Sequence, residues 1–193
     1  MKKGKNKIVV AIVILLILGI SVGYAALGDT FKIKGTTNIT GNTWSISFRN
    51  IQEDPSNNVT ASTQPHIVTG SSSDTYTQQV EYEVTLTKPQ DVYIFTVDLY
   101  NGGSVDAEIS NVQISGLTAD AANYIDYTVT DITDPTNPKN AEAGDVIGNS
   151  GGIRTYEVVT EYLDVDNATL SQYAGSNVTL TLTFQVDLIQ HTS

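Results

Sequence analysis

Residues 177–189 read NVTLTLTFQVDLI, and apolar and polar side chains alternate through the whole run. Val178, Leu180, Leu182, Phe184, Val186 and Leu188 fall on one side, with Thr179, Thr181, Thr183, Gln185 and Asp187 opposite. A period of two cannot line one face of a helix, but it puts every second residue on one face of a strand. One dry face and one wet face is the pattern of an antiparallel sheet packed on a single side. The pattern recurs in TWSISFRNI, where Trp44, Ile46 and Phe48 oppose Ser45, Ser47 and Arg49. It recurs again in QVEYEVTLTK, where Val80, Tyr82, Val84 and Leu86 oppose Glu81, Glu83, Thr85 and Thr87.

DVYIFTVDLYN, 91–101, is more evenly apolar. Tyr93, Phe95, Val97 and Leu99 are expected to face the core while Val92 and Ile94 begin the other face, so this is a predicted central strand. Further strands are expected near 30–40, 105–115, 124–133 and 153–163. Turn formers separate them: KPQD at 88–91, NGGS at 101–104, DPTNP at 134–138 and NSGG at 149–152. No segment sustains a helical pattern; LTADAANY and ATLSQYAG have room for one or two turns each. Two stretches are polar and rich in turn formers: 52–75 reads as a long loop or an irregular edge with one short strand near 66–68, and 135–145 as a second long loop. About nine short strands in one domain predict an all-β antiparallel sandwich, jelly-roll-like.

The N-terminus obeys different rules. Lys2, Lys3, Lys5 and Lys7 precede an unbroken apolar run at 8–18, followed by Gly19, Ser21, Gly23 and then Tyr24-Ala25-Ala26. Charge, an apolar stretch and small residues at the −3 and −1 positions define a signal peptide, and Gly23 and Ala25 supply those small residues for a cut before Ala26. The 20 apolar or small residues of 8–27 are also long enough to cross a bilayer. Residues 1–25 are therefore expected to be a signal peptide or, to about residue 27, an uncleaved membrane anchor, with 28–193 a single domain. Either way the lysines stay in the cytoplasm and the domain lies outside.

The first acid is Asp29. Loss of the leader removes four lysines and leaves six basic residues against 21 acids, so the net charge falls from −11 to −15. A domain this acidic repels nucleic acid. There is no cysteine, which excludes disulfides, a thiol nucleophile and thiolate-bound metal.

Catalytic signals are sparse. His66 and His191 belong to no HExxH motif, no serine sits in a G-x-S-x-G elbow, and no glycine-rich loop opens a helix. GNSGG at 148–152 reads as a hairpin turn, and Glu81 and Glu83 as a solvated strand face. Asp164, Asp166 and Asn167 in DVDNAT have spacing suited to calcium, but the glycine and distal glutamate of an EF-hand loop are absent, so an ordinary loop is the competing reading. N-x-S/T triplets occur at Asn38, Asn58, Asn167 and Asn177. No enzyme activity and no cofactor are expected.

Two stretches carry a family resemblance. VGYAALGDTFKI, 22–33, joins a glycine- and aromatic-containing leader end to the first strand. KPQDVYIFTVDLYNGGSVDAEI, 88–109, resembles the Lys-Pro-Gly-Asp turn, strand and Asn-x-Gly-Ser segment of the TasA/camelysin family of Gram-positive biofilm matrix proteins. Asn101, Gly103 and Ser104 match, and Gln90 stands where the family has glycine. Trp44, Ile46, Phe48, Asn50 and Ile51 also resemble a W-x-I-x-F-x-N-I arrangement in surface proteins of gut Firmicutes. The resemblance implies a jelly roll, a leader removed by a SipW-type signal peptidase, and export to the cell surface or matrix. It also implies fibres in which each subunit donates its N-terminal strand to the next, with self or other matrix proteins as partners. Camelysins are also described as metallopeptidases, but no zinc motif here supports carrying that activity over.

In the segment 30–39, TFKIKGTTNI, Phe31 and Ile33 are spaced as alternate plugs for a groove. The competing expectation is that this strand pairs within its own sheet. The alternative to a fibre protein is a membrane-anchored surface module that binds carbohydrate, protein or calcium.

Overall fold

A computed structural model describes residues 43–71, 76–165 and 177–191. Gly23, Ala25, Ala26, Phe31, Ile33, Asp166, Asn167 and ATLSQYAG lie outside the described residues. All described residues belong to one compact unit, 41–193. Among them no helix is long and apolar enough to cross a membrane.

The alternating segments fold as strands: β1 Ile46–Glu53, β2 Ala61–Ser71, β3 Tyr76–Leu86, β4 Val92–Asn101 and β5 Ala107–Ser115. Then follow β6 Ile125–Asp131, β7 Lys139–Asn140, β8 Val146–Ile147, β9 Gly152–Tyr162 and β10 Val178–Gln190. LTADAANY contains a single 3-10 turn, Ala121–Asn123. One sheet runs β1-β4-β9-β6-β7 and the other β2-β3-β10-β5-β8, every pair antiparallel.

From β3 onward the pairing follows a single rule. β3 pairs with β10, β4 with β9, β5 with β8 and β6 with β7. Four strands run out and four run back, and the long hairpin is rolled so that successive pairs fall in opposite sheets. That is a jelly roll. β1 and β2 are additions to it, β1 on the free side of β4 and β2 on the free side of β3.

The inward sets form the core as the alternation predicts. Val80, Tyr82, Val84 and Leu86 meet Tyr93, Phe95, Val97 and Leu99 across the sandwich, and all eight are fully buried. Phe184 packs against Phe48 and Tyr156 with ring centroids 5.4 and 5.3 Å apart. With no cysteine, this packing and the ladders hold the fold. Tyrosine suits such a core where its hydroxyl finds a partner, as Tyr82 does with Thr160 at 2.5 Å.

The KPQD and NGGS turns are well built. In KPQD, Asp91 N–H donates to Lys88 carbonyl, while the Asp91 carboxylate accepts from Thr87 N–H, Thr87 hydroxyl and Lys88 N–H. Gln90 has φ +70°, the left-handed conformation that glycine adopts most easily. In NGGS, buried Asn101 accepts from Gly103 N–H and donates to the carbonyls of Val105 and Ile147. A Cβ on Gly103 would lie 2.5 Å from the Thr43 carbonyl oxygen. Ser104 N–H donates to that same carbonyl, and Thr43 N–H donates to Ser104 Oγ. The loop thus clamps the point at which the chain enters β1.

Three expectations need correction. The stretch 52–75 is the irregular edge rather than the loop, and its strand is longer than expected: eleven residues form β2, which keeps its ladder despite two register shifts. The stretch 135–145 carries β7, and β8 follows directly. Thr183 is not on a wet surface but buried between its outer-face neighbours Glu81 and Ser115.

Candidate functional site

A sandwich has open edges, and each edge here is treated differently. β2 contains Pro65, which has no N–H to offer, and its register shifts between Ala61 and Thr63 and again between Thr63 and His66. β1 shifts register between Arg49 and Gln52, with Asn50 left-handed at φ +53°. β7 is two residues long. Proline, irregular register and short length are the usual means of blunting an edge.

β5 lacks these protections over half its length. β8 covers only Ala107 and Glu108, and the neighbouring backbone adds Ile109 N–H to Asp145 O and Gly144 N–H to Ile109 O. Past Ile109, no backbone among the described residues pairs with the outer side of 110–115. Beneath this edge the sheets part around an apolar cleft of about 270 Å³. Val112 and Ile114 of β5 form one wall, Tyr127 and Val129 of β6 the other, with Asn140 and Ala141 at one end. Ile114 is 45% exposed, more than any other large apolar side chain described. The Tyr127 hydroxyl is buried against Tyr82.

Local sequence frames this opening. Ser110 is the extra residue where β5 shifts register against Asp187 and Leu188 of β10. At the far end Gly116 has φ +100°, and a Cβ there would lie 2.0 Å from the Thr181 carbonyl oxygen. Only glycine lets β5 leave so close to β10.

The near end is closed by a strap, the connection 132–151 between β6 and β9, which carries β7 and β8. Arg154 of β9 latches it. Its Nη1 donates to Asp131 at 2.5 Å and lies 3.3 Å from Asp145, while Nε and Nη2 donate to the Val146 carbonyl. Lys139 Nζ reaches Asp145 at 2.6 Å. Burial works against the Asp131 carboxylate, yet hydrogen bonds from Thr133, and the hydrogen bond and charge of Arg154, hold its pKa below the usual range.

The remaining candidates are not brought together. His66 Nε2 lies 4.0 Å from Glu81, and His191 Nδ1 lies 2.9 Å from Glu108 in a separate pair. Asp164 is exposed, and its proposed companions lie outside the described residues. Among the described residues no three His, Asp or Glu side chains converge as a metal site. Asn58 is committed to structure: its Nδ2 donates to Gln90 O and its Oδ1 accepts from Val92 N–H. Asp187 accepts from Asn111, Thr77 and Gln185, which outweigh burial and lower its pKa. Carboxylates stabilised as anions in this way serve structure better than proton transfer at neutral pH.

Sequence reasoning missed the half of β5 left unpaired among the described residues and the Arg154 latch. The polar Ser110-Asn111 pair inside an otherwise β-prone segment was the available signal for the first. No family model, no curated protein and no solved structure matches the chain.

Proposed function

We propose that this is a non-enzymatic structural protein of the cell surface or extracellular matrix. Its subunits join by strand addition, with segment 30–39 of one molecule pairing along β5 of the next. The observation that carries the reading is the edge 110–115, which no backbone among the described residues pairs, above an apolar cleft in a domain whose other described edges are blunted.

The donor matches the acceptor in chemistry. Phe31 and Ile33 alternate with Lys32 and Lys34, so one face offers apolar plugs and the other positive charge to an acidic domain. Burial of each plug stabilises the joint by roughly 1.5–3 kcal/mol, and the paired backbone fixes direction and register. Forty-two residues precede Thr43, so the segment is tethered by chain that lies ahead of the clamp at Ser104. Removal of the leader after Ala25 would free this segment, whereas a retained anchor would hold it at the membrane.

The test is a cross-link. With no native cysteine, Ile33→Cys and Ile114→Cys place one thiol on the donor and one in the cleft. A ladder of disulfide-linked multimers on a non-reducing gel, with fibres by negative-stain microscopy, is the expected result. Cross-linking confined to single molecules would mean that the strand completes its own sheet and would overturn assembly. No cross-link would overturn the site.

A further inference from the structure

We propose that the strap is a displaceable cover, and that an incoming strand from a second copy of this chain takes the place of β8 along the whole of β5. This rests on the strand-addition reading above.

Length is the first argument. The donor segment 30–39 has ten residues and β5 has nine, but the edge left unpaired by the described residues is only 110–115. Full pairing needs the three residues at 107–109 that the strap occupies. The second argument is how the strap is held. Its contact with β5 is two residue pairs and two flanking hydrogen bonds at Ile109. It adds one large side chain to the core, Ile147, which is 1% exposed. Its other holds include Arg154, whose Nη1 lies 3.3 Å from Asp145 and whose Nε and Nη2 donate to Val146 O, and one hydrogen bond from Asn101 Nδ2 to Ile147 O. Toward its start they include the two-residue pairing of β7 with β6 and the bond from Ala141 N–H to Val129 O.

The third argument is that the exchange replaces like with like. A strand bearing Phe31, Ile33 and Ile39 on one face supplies an apolar plug where Ile147 leaves. It also renews the backbone bonds to Ala107, Glu108 and Ile109. The strap passes through a left-handed glycine. Gly144 has φ +94° and a Cβ there would touch nothing within 4 Å. The return end stays pinned, through Asn149 to Asp106, Ser150 to Gly103 and Gly151 to Asn101. Arg154 is thus a positioning residue that sets how readily the edge lengthens.

Glu108→Cys with Val146→Cys tests this, because the two positions are direct cross-strand partners and no other thiol is present. Cα atoms of opposed residues on antiparallel strands lie within disulfide range. In the exported protein, the oxidised form is expected to lose fibre growth and the reduced form to recover it. Equal growth of oxidised and reduced protein, with Ile114→Lys still blocking both, would overturn the strap proposal and leave strand addition standing. No growth in the reduced form or in the unaltered protein would overturn both.

Discussion

Replacing Arg154 with alanine tests the latch most directly. The side chain is 18% exposed, and its partner Asp131 is 2% exposed. Removing one member of a buried pair leaves the other charge uncompensated, at a cost of about 3–5 kcal/mol when both are fully enclosed. Arg154 is partly wet, and Asp131 keeps its bond from Thr133 N–H, so the loss here is expected to be about 2–3 kcal/mol. In a domain of this size that lowers Tm by roughly 5–10 °C. The pH dependence carries the diagnostic sign. In the native protein the Asp131 pKa is lowered, so its contribution is present above the unfolded carboxyl value and is lost as pH falls through the folded one. The difference between Arg154→Ala and the native protein should therefore be full at neutral pH and shrink below about pH 4. Urea unfolding followed by aromatic fluorescence at both pH values measures it. A loss under about 0.5 kcal/mol, the range of an unremarkable surface change, would refute the latch. So would a loss that is the same at both pH values.

Other outcomes follow from single positions. Ile114→Lys should cost no more than about 1 kcal/mol, because nearly half of the side chain is already exposed, yet abolish assembly as read by sedimentation. Gln90→Gly relieves a left-handed turn residue and is expected to stabilise by about 0.5–1 kcal/mol in thermal unfolding. Gly116→Ala forces a Cβ onto the Thr181 carbonyl at positive φ and should cost roughly 2–4 kcal/mol, or prevent folding. N-terminal sequencing of the exported protein should begin at Ala26; an intact Lys2 would return the chain to the membrane.

The architecture was legible wherever a strand has one buried face. β3, β4 and β10 show their alternation in sequence because one face meets the core along nearly its whole length. β2 was legible only as a loop or an irregular edge with a short strand near 66–68, because Pro65, His66 and neighbouring polar residues hide its full length. β7 and β8 are two residues each, too short for any period, yet they supply the pairings that close the jelly roll. The candidate site was legible only from the donor side, where Phe31 and Ile33 alternate. Its acceptor depends on where β8 stops along β5, a fact of three-dimensional pairing with no local signature. Gln78 makes the same point: a polar residue in an alternating strand, it is fully buried because its Oε1 accepts from Phe48 N–H on the facing sheet.

The clamp at Thr43 has a mechanical meaning. In a chain of subunits linked through 30–39, tension would enter each domain at Thr43. The first bonds to bear it are those from Ser104 to Thr43 and from Gly102 to Ser45, and behind them stands the ladder of β1 on β4. A short loop rich in glycine would thus be the load point of the filament. Ser104→Ala, almost silent in a test tube at rest, would then show its effect under force, as an earlier yield when a single fibre is pulled.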